Sequence, residues 1–350
     1  MSKNVIIIGG GIAGMESAAY LAAMGYNVTI LEKEGRLGGN LLKWERLFPT
    51  KRMGSEVLEF LSQGVSEDVS IIYHADIEKI DKKDKTFIVH LSKGASLRAD
   101  ALLIATGFDT FPAEKKEEYG YGIYNNVITS PDLESLFLSG KEIKTASGKK
   151  PHRIGFVHCV GSRDEKVGNI YCSKVCCVTG VKQSIEIKEK FPQSEVYCFY
   201  MDMRMYGVNF EELYKEAQEK WGVYFIRGRL SEACENADGS IVVKVEDTLA
   251  GKPLKMTVDL LVLLVGFVPS EGTKKIGQML NLELDSNRFL KPADEHTMTN
   301  VSSIPGIFLA GTCTSPRTIT NTIMDARSAA ATVASYLEGY DIEKRVRNKI

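Results

Sequence analysis

The chain has 350 residues, is 44% hydrophobic and 25% charged, and carries a formal net charge of -1. Its length suits about two domains, and its even charge balance excludes a broad basic surface for nucleic acid. The run Leu260 to Val268 is well short of the ~20 apolar residues that a bilayer span needs, so no membrane span is expected.

In chain order, Val5 to Ile8 is an unbroken β-branched run, as in a fully buried parallel strand. Gly9, Gly10, Gly11 and Gly14 come next, the alanine-rich stretch Met15 to Met24 reads as a helix closed by Gly25, and Asn27 to Leu31 is a second strand. This makes a complete βαβ unit. Arg36 to Gly39 opens an irregular stretch that runs to Arg52. Ser55 to Gln63 looks helical, Ile71 to Ile80 and Lys85 to Leu91 alternate like antiparallel strands, and Ala101 to Ala105 is an apolar strand ending in Thr106-Gly107. Phe108 to Pro151 is polar and rich in Gly and Lys, which suggests a crossover or linker. A second α/β segment comes after it: strand Ile154 to His158, helix Ser173 to Lys190, strand Glu195 to Tyr200, helix Asn209 to Trp221 and strand Val223 to Arg227. Ile241 to Val245 and Lys255 to Val258 suit a hairpin, Leu260 to Val265 a buried strand, Gly306 to Ala310 the last strand, and Thr318 to Leu337 a closing helix. No sequence repeat is evident. The expected fold class is α/β: a Rossmann-type domain, residues 1–110 and 266–350, interrupted by a second α/β domain, residues 111–265.

Gly9-x-Gly11-x-x-Gly14 follows a strand, opens a helix and has Glu32 at the end of the second strand. In that context the motif reads as a dinucleotide site. Gly9 permits the turn, Gly11 lets the backbone approach a pyrophosphate at the positive helix N-terminus, and Gly14 allows helix–strand packing. Ile12, Ala13 and Lys33 belong to the same site. The Glu32 carboxylate can accept from ribose hydroxyls and would repel a 2′-phosphate, which argues against NADP at this loop. Three further stretches resemble FAD-binding proteins with two dinucleotide folds. Gly38-Gly39-Asn40 resembles their second glycine pair, Ala105-Thr106-Gly107 their strand-to-turn signature, and Gly306 to Gly311 their final strand. Those proteins usually carry an aspartate after that last glycine, whereas this chain carries Thr312.

The seven cysteines form an odd set, four of them spaced C-x12-C-x3-C-C at Cys159, Cys172, Cys176 and Cys177. The apolar N-terminus lacks a basic leader and is interrupted by glycines and Glu16, so a reducing cytoplasmic setting is expected, where clustered thiols bind metal or do redox chemistry. If Ser173 to Lys190 is helical throughout, Cys172 and Cys176 lie one turn apart on one face. Cys177 can join them only near the helix start. Cys159 ends the preceding strand, and the loop after it can fold it back. Four thiolates suit a 4Fe–4S cluster. Zinc and a redox-active thiol set remain as alternatives. Cys198, in an apolar strand, and Cys234, near a loop, read as ordinary core or surface residues, and Cys313 lies beside the expected flavin loop.

The segments Cys159-Val160-Gly161-Ser162-Arg163-Asp164 and Tyr171-Cys172-Ser173-Lys174-Val175-Cys176-Cys177 resemble the A subunits of heterodisulfide reductases, an iron–sulfur flavoprotein family. Phe199 to Arg204, Phe225 to Arg229, and Gly306 to Gly311 with Pro316 fit the same family. The resemblance implies a thioredoxin reductase-like flavoprotein fold with FAD beside a 4Fe–4S cluster held by these four cysteines. It also implies that Lys182 approaches the flavin and tunes it, where otherwise Lys182 would be a solvated helix position. Partner subunits of the reductase complex and a homodimer are implied too. The chain has no additional C-x2-C-x2-C run and no cysteine between Phe48 and Gly54, so it looks most like the short form in sulfur-oxidising complexes. The competing reading is a stand-alone NAD(P)H-dependent flavin disulfide oxidoreductase. Such enzymes carry a C-x4-C pair after Gly38-Gly39 and a second glycine loop near residue 155, and this chain has neither pattern. A third reading, a non-catalytic scaffold, has no positive sequence feature.

Overall fold

A computed structural model describes residues 2–92 and 94–340. The chain divides into two compact units, one of Met1–Leu42, Ser55–Asp109 and Val268–Ile350, the other of Lys43–Gly54 and Thr110–Phe267.

The first unit is built on a five-stranded parallel sheet in the order Ile307–Leu309, Ala101–Ile104, Asn4–Ile8, Asn27–Leu31, Ser70–Ile72. Its central strand is buried on both faces, hence the continuous β-branched run. Val5 and Ile7 pack with Ala13, Ala18 and the alanines of helix Ile319–Leu337, while Ile6 and Ile8 join Phe87 and Val89 of an antiparallel layer. Small residues let the helices Ile12–Ala23 and Ile319–Leu337 approach closely: the Ser17 hydroxyl donates to the Ala326 carbonyl at 3.0 Å, and Arg327 pairs with Glu16 at 2.6 Å.

One expected strand is two. Ile71 to Ile80 divides into Ser70–Ile72, the parallel edge of the main sheet, and Ile77–Lys83, the first strand of the antiparallel layer. His74, at φ 52, turns the chain between them. Alternation alone could not separate two short strands that run straight into one another.

The second unit repeats this plan without repeating the sequence. Its parallel sheet runs Val127–Thr129, Leu260–Val265, Arg153–Val160, Glu195–Tyr200, Tyr224–Arg227. The expected hairpin is a three-stranded antiparallel sheet, because Leu230–Glu235 pairs with Ile241–Asp247, which pairs with Lys252–Val258. The stretch expected as a linker supplies the edge strand Val127–Thr129 and the helix Ser130–Ser139. That helix starts at a capping box, in which Thr129 and Asp132 satisfy one another's backbone N–H groups. Residues 43–54, expected in the first domain, belong to the second unit, where Arg46 pairs with Glu189 at 2.7 Å and Lys51 with Glu216 at 3.0 Å. Among the described residues no helix is long and apolar enough to cross a membrane.

Candidate dinucleotide cradle and cysteine centre

In the first unit the glycine motif folds as a tight strand-to-helix turn. Gly9 sits at φ 110, and a Cβ there would fall 2.4 Å from the Ala105 carbonyl oxygen. A Cβ on Gly14 would fall 1.9 Å from the Gly9 carbonyl oxygen. Gly11 differs: its φ is -78°, and the nearest heavy atom to a Cβ there is Gly39 Cα at 4.0 Å. Gly9 and Gly14 are therefore required by the protein's own packing, whereas Gly11 leaves open space where a ligand would approach. The helix begins at Ile12, so the first-turn N–H groups, including those of Ile12 and Ala13, lack intrahelical acceptors and carry the positive end of the dipole.

Glu32 is buried, and its carboxylate accepts from the Gly10 N–H at 2.7 Å and the Glu34 N–H at 2.8 Å. A carboxylate has about four acceptor sites, so these two bonds orient Glu32 and leave capacity for hydroxyl donors. Lys33 is exposed and lies 3.9 Å from Glu34. The second glycine pair closes over the motif: the Gly38 N–H donates to the Gly10 carbonyl at 2.9 Å, and Gly39 sits at φ 54 against Gly11. Asn40 Nδ2 donates to the Phe108 carbonyl at 2.8 Å. Ala105 bonds back to Ile8, and the Thr106 hydroxyl bonds to that of Thr273 at 2.7 Å. Gly107, at φ 73, brings its missing Cβ within 3.9 Å of Thr312 Oγ1, and Gly311, at φ 75, lies against Ala13. Glu32, Gly38, Gly39 and Gly311 thus meet the glycine turn and first helical turn directly, whereas Lys33 points to Glu34, Asn40 to Phe108 and Thr106 to Thr273.

Thr312, at the position where related flavoproteins carry an aspartate, is nearly buried, and another aspartate supports the loop. Asp325, a lone acid in an apolar helix, accepts the Gly311 N–H at 2.6 Å and is itself held by Arg317 at 3.0 Å and Asn300 at 3.1 Å. Sequence reasoning missed Asp325, although an acid amid alanines was a usable signal. Cys313 is fully buried, hydrogen-bonds to the carbonyls of Ile104 and Ala310, and has its thiol pushed up to about 12 by burial.

In the second unit, Cys159 is the penultimate residue of the central strand Arg153–Val160, at φ 61, and Gly161 follows the strand at φ 70. A Cβ on Gly161 would lie 2.0 Å from the Phe111 ring, so protein fills that turn. The helix begins only at Cys176, with Val175 as its cap. This corrects the expected helix from Ser173: Cys172 precedes the helix, and no shared helical face brings it to Cys176. The loop that carries Cys172 is pinned by Ser173 N–H to Ser162 Oγ at 3.0 Å and Tyr171 hydroxyl to the Phe267 carbonyl at 2.7 Å.

Cys159, Cys176 and Cys177 are buried and Cys172 is half-buried; all seven cysteines are free thiols. Burial pushes the Cys159 thiol up to about 12, and the charges of Cys177 and Cys172 add to this while Arg163 opposes it. Cys176 lies well above its ordinary value, first from burial and then from the other three sulfurs. Cys159, Cys176 and Cys177 are thus held as neutral thiols, by burial first, unless positive charge sits among them. Backbone donors already face the sulfurs: Lys174 N–H reaches Cys172 Sγ at 3.3 Å, and Arg204 N–H reaches Cys177 Sγ at 3.4 Å. Arg163 pairs with Asp202 at 2.7 Å, while its buried Nη1 has no hydrogen-bond partner. Among the described residues, no set of three or more His, Cys, Asp or Glu side chains closes on one metal ion. Cys198 is a core residue bonded to Ser184 at 3.2 Å, and Cys234 is exposed on the strand Leu230–Glu235 rather than in a loop.

Lys182 is no solvated helix position. It is buried, and its ammonium is shared by Glu134, by Glu186 at 3.1 Å and by the Arg46 carbonyl at 3.1 Å. Gln183 donates to Glu134 at 2.9 Å. One ammonium faces two carboxylates, and Glu186 is pushed up to about 7, by burial first and further by Glu134, with Lys182 pulling against both.

Known proteins resemble this chain in fold and in sequence. Residues 3–332 match the family described as pyridine nucleotide-disulphide oxidoreductase. The thioredoxin reductase of T. acidophilum superposes with a TM-score of 0.65 at 18% identity, covering 97% of this chain and 100% of that one. That of Lactococcus lactis gives 0.64 at 18%, covering 96% and 99%. By sequence, the chain is 32% identical to the A subunit of the H(2):CoB-CoM heterodisulfide,ferredoxin reductase of Methanothermobacter thermautotrophicus, over 95% of its own length. It is equally similar to the iron–sulfur A subunit of the CoB--CoM heterodisulfide reductase of Methanocaldococcus jannaschii, again over 95% of its length. It spans 64% of each of these relatives. The resemblance to the heterodisulfide reductase A subunits therefore extends along almost all of this chain, on the two-dinucleotide-domain fold of the thioredoxin reductases. The chain belongs to the pyridine nucleotide-disulphide oxidoreductase family.

Proposed function

We propose that this chain is the FAD- and 4Fe–4S-containing electron-transfer component of a heterodisulfide reductase-like complex, an oxidoreductase working with partner iron–sulfur subunits in the cytoplasm, itself as a homodimer. The observation that carries this reading is the cysteine centre in the second unit. Three buried thiols and a half-buried fourth, two backbone N–H groups aimed at sulfur and the Arg163 guanidinium beside Cys159 suit an anionic polynuclear cluster.

The cradle residues fit a dinucleotide. The first turn at Gly11 to Gly14 faces the pyrophosphate, Glu32 orients ribose hydroxyls, and Gly38, Gly39 and Asn40 line the far side of the loop. Ala105 to Gly107 with Gly311 and Thr312 complete the cradle. When bound, the flavin exchanges electron pairs and the cluster exchanges single electrons. The thiolates of Cys159, Cys172, Cys176 and Cys177 hold the cluster. Lys182 belongs to this reading as the cation that tunes the flavin, with its charge offset by Glu134 and Glu186.

The second reading, an NAD(P)H-dependent disulfide oxidoreductase, draws on the family description. Against it, the central strand of the second unit does not turn straight into a helix: residues 161–175 intervene, and Phe111 occupies the space at Gly161. A nicotinamide loop needs that space open to a pyrophosphate.

Metal and flavin analysis of the purified protein decides between them. About four irons and one FAD per chain are expected, and Cys172→Ala should lose the iron and keep the flavin. Zinc in place of iron, or full iron in that variant, would overturn the reading. Rapid flavin bleaching by NADPH in a protein that holds nicotinamide tightly would establish the second.

A further inference from the structure

Arg163 stands between the cysteine centre and the surface of the second unit, and its two terminal nitrogens face different surroundings. The outer one, Nη2, donates to Asp202 at 2.7 Å; that side chain is 43% exposed and also faces Arg227 at 3.5 Å. The inner one, Nη1, is buried and has no hydrogen-bond partner. A buried donor left without an acceptor is costly, so one kept inside a functional centre marks a contact that another group completes. Burial pushes the Cys159 thiol up and Arg163 pulls it back, so the guanidinium lies beside that sulfur.

The loop holds Arg163 there firmly. Its φ is 54, a left-handed conformation disfavoured for a residue with a Cβ. Its N–H donates to the carbonyl of Tyr171, the neighbour of Cys172, at 2.9 Å. Asp164 exchanges both backbone hydrogen bonds with Asn169, at 2.8 and 3.0 Å, and its buried carboxylate pairs with Lys116 at 2.7 Å and Arg229 at 2.5 Å. Asn169 Nδ2 closes the turn on the Gly161 carbonyl at 2.9 Å. These bonds hold the turn through its backbone and Asp164, and none of them calls for an arginine side chain at 163. Asp202 belongs to the centre too, because its carbonyl accepts from Cys177 Sγ at 3.5 Å.

We propose that Arg163 sets the redox balance of the cluster by donating from Nη1 to the Cys159 sulfur, and that Asp202 limits how much of the guanidinium charge acts on the site. This role rests on the cluster reading above. Four thiolates make the centre anionic, and one further electron adds a negative charge. A fixed cation and an N–H donor at sulfur therefore both favour the reduced form. Loss of Arg163 makes the centre harder to reduce, and loss of the Asp202 charge makes it easier.

The test is an EPR-monitored redox titration of the holoprotein with chemical mediators, after iron has been counted. Arg163→Gln is expected to lower the reduction equilibrium constant about tenfold, which is ~59 mV for one electron. Asp202→Asn should raise it by a smaller factor. Arg163→Lys keeps the charge and loses the fork, and should fall between the parent and Arg163→Gln. A residue that only clamps the loop would give parental potentials in the variants that keep their iron. Parental potentials, or shifts of the same sign in Arg163→Gln and Asp202→Asn, would overturn the role. If Arg163→Gln loses its iron, Asp202→Asn decides alone, and a parental or lowered potential there would overturn it. A parent protein without iron would instead overturn the cluster reading.

Discussion

At the scale of single residues, the buried set Lys182, Glu134, Glu186 and Gln183 is the most charged part of the core. Glu186 has an ordinary value of 4.5 and is pushed up to about 7 in the fold. Its folded form prefers the proton, so the stability tied to it is fully present below pH 4.5 and is lost as pH rises through about 7. A shift of that size corresponds to about 3 kcal/mol. Denaturant unfolding at pH 5 and pH 8 should show this loss, and Glu186→Gln should remove most of it; equal pH dependence in the variant would rule out Glu186 as the source. Lys182 is legible in the sequence as a residue to watch. Its carboxylate partners are not, because Glu134 belongs to a stretch without strong periodicity and reaches Lys182 only through tertiary folding.

At the scale of elements, the glycine motif separates packing from binding. Gly14→Ala drives a Cβ into the Gly9 carbonyl and should cost several kcal/mol, as overpacking against backbone does. Gly11→Ala meets no atom closer than 4.0 Å at an ordinary φ, so it should keep near-parental stability yet lose most of the bound flavin. Thermal unfolding and flavin absorbance together check both, and a flavin-replete Gly11→Ala would remove that glycine from the site. The first βαβ unit is readable because a β-branched run, a glycine turn and an alanine-rich helix each have one local solution. The helix Ser130–Ser139 escapes a sequence reading, although Thr129, Pro131 and Asp132 mark its start, because its flanks are polar and Lys-rich. The cysteine helix starts three residues later than its sequence suggests. Nothing local to Ser173 announces that its side chain is taken by Ser162 and the Phe267 N–H, which ends the loop and starts the helix later.

At the scale of the whole molecule, two units share one plan, a parallel five-stranded sheet with an antiparallel three-stranded layer, but differ beyond the end of the central strand. In the first it runs straight into a helix and makes a ligand cradle; in the second a loop intervenes and carries thiols. If those thiols hold a cluster, its binding free energy is folding free energy for that loop. Chelating the iron should therefore raise amide exchange over 159–177 and 201–209 and leave 4–31 and 319–337 protected; uniform protection with and without iron would show that the loop needs no metal. The sequence by itself determined the α/β class and the strand–glycine turn–helix at Gly9 to Gly14, because these depend on local periodicity and on residue chemistry. Only the tertiary structure decided that Cys172 lies outside the helix, that residues 43–54 belong to the second unit, and that Lys182 is enclosed by carboxylates. These rest on contacts between residues far apart in the chain, made when sheets and helices close over one another, and no short window of sequence encodes them.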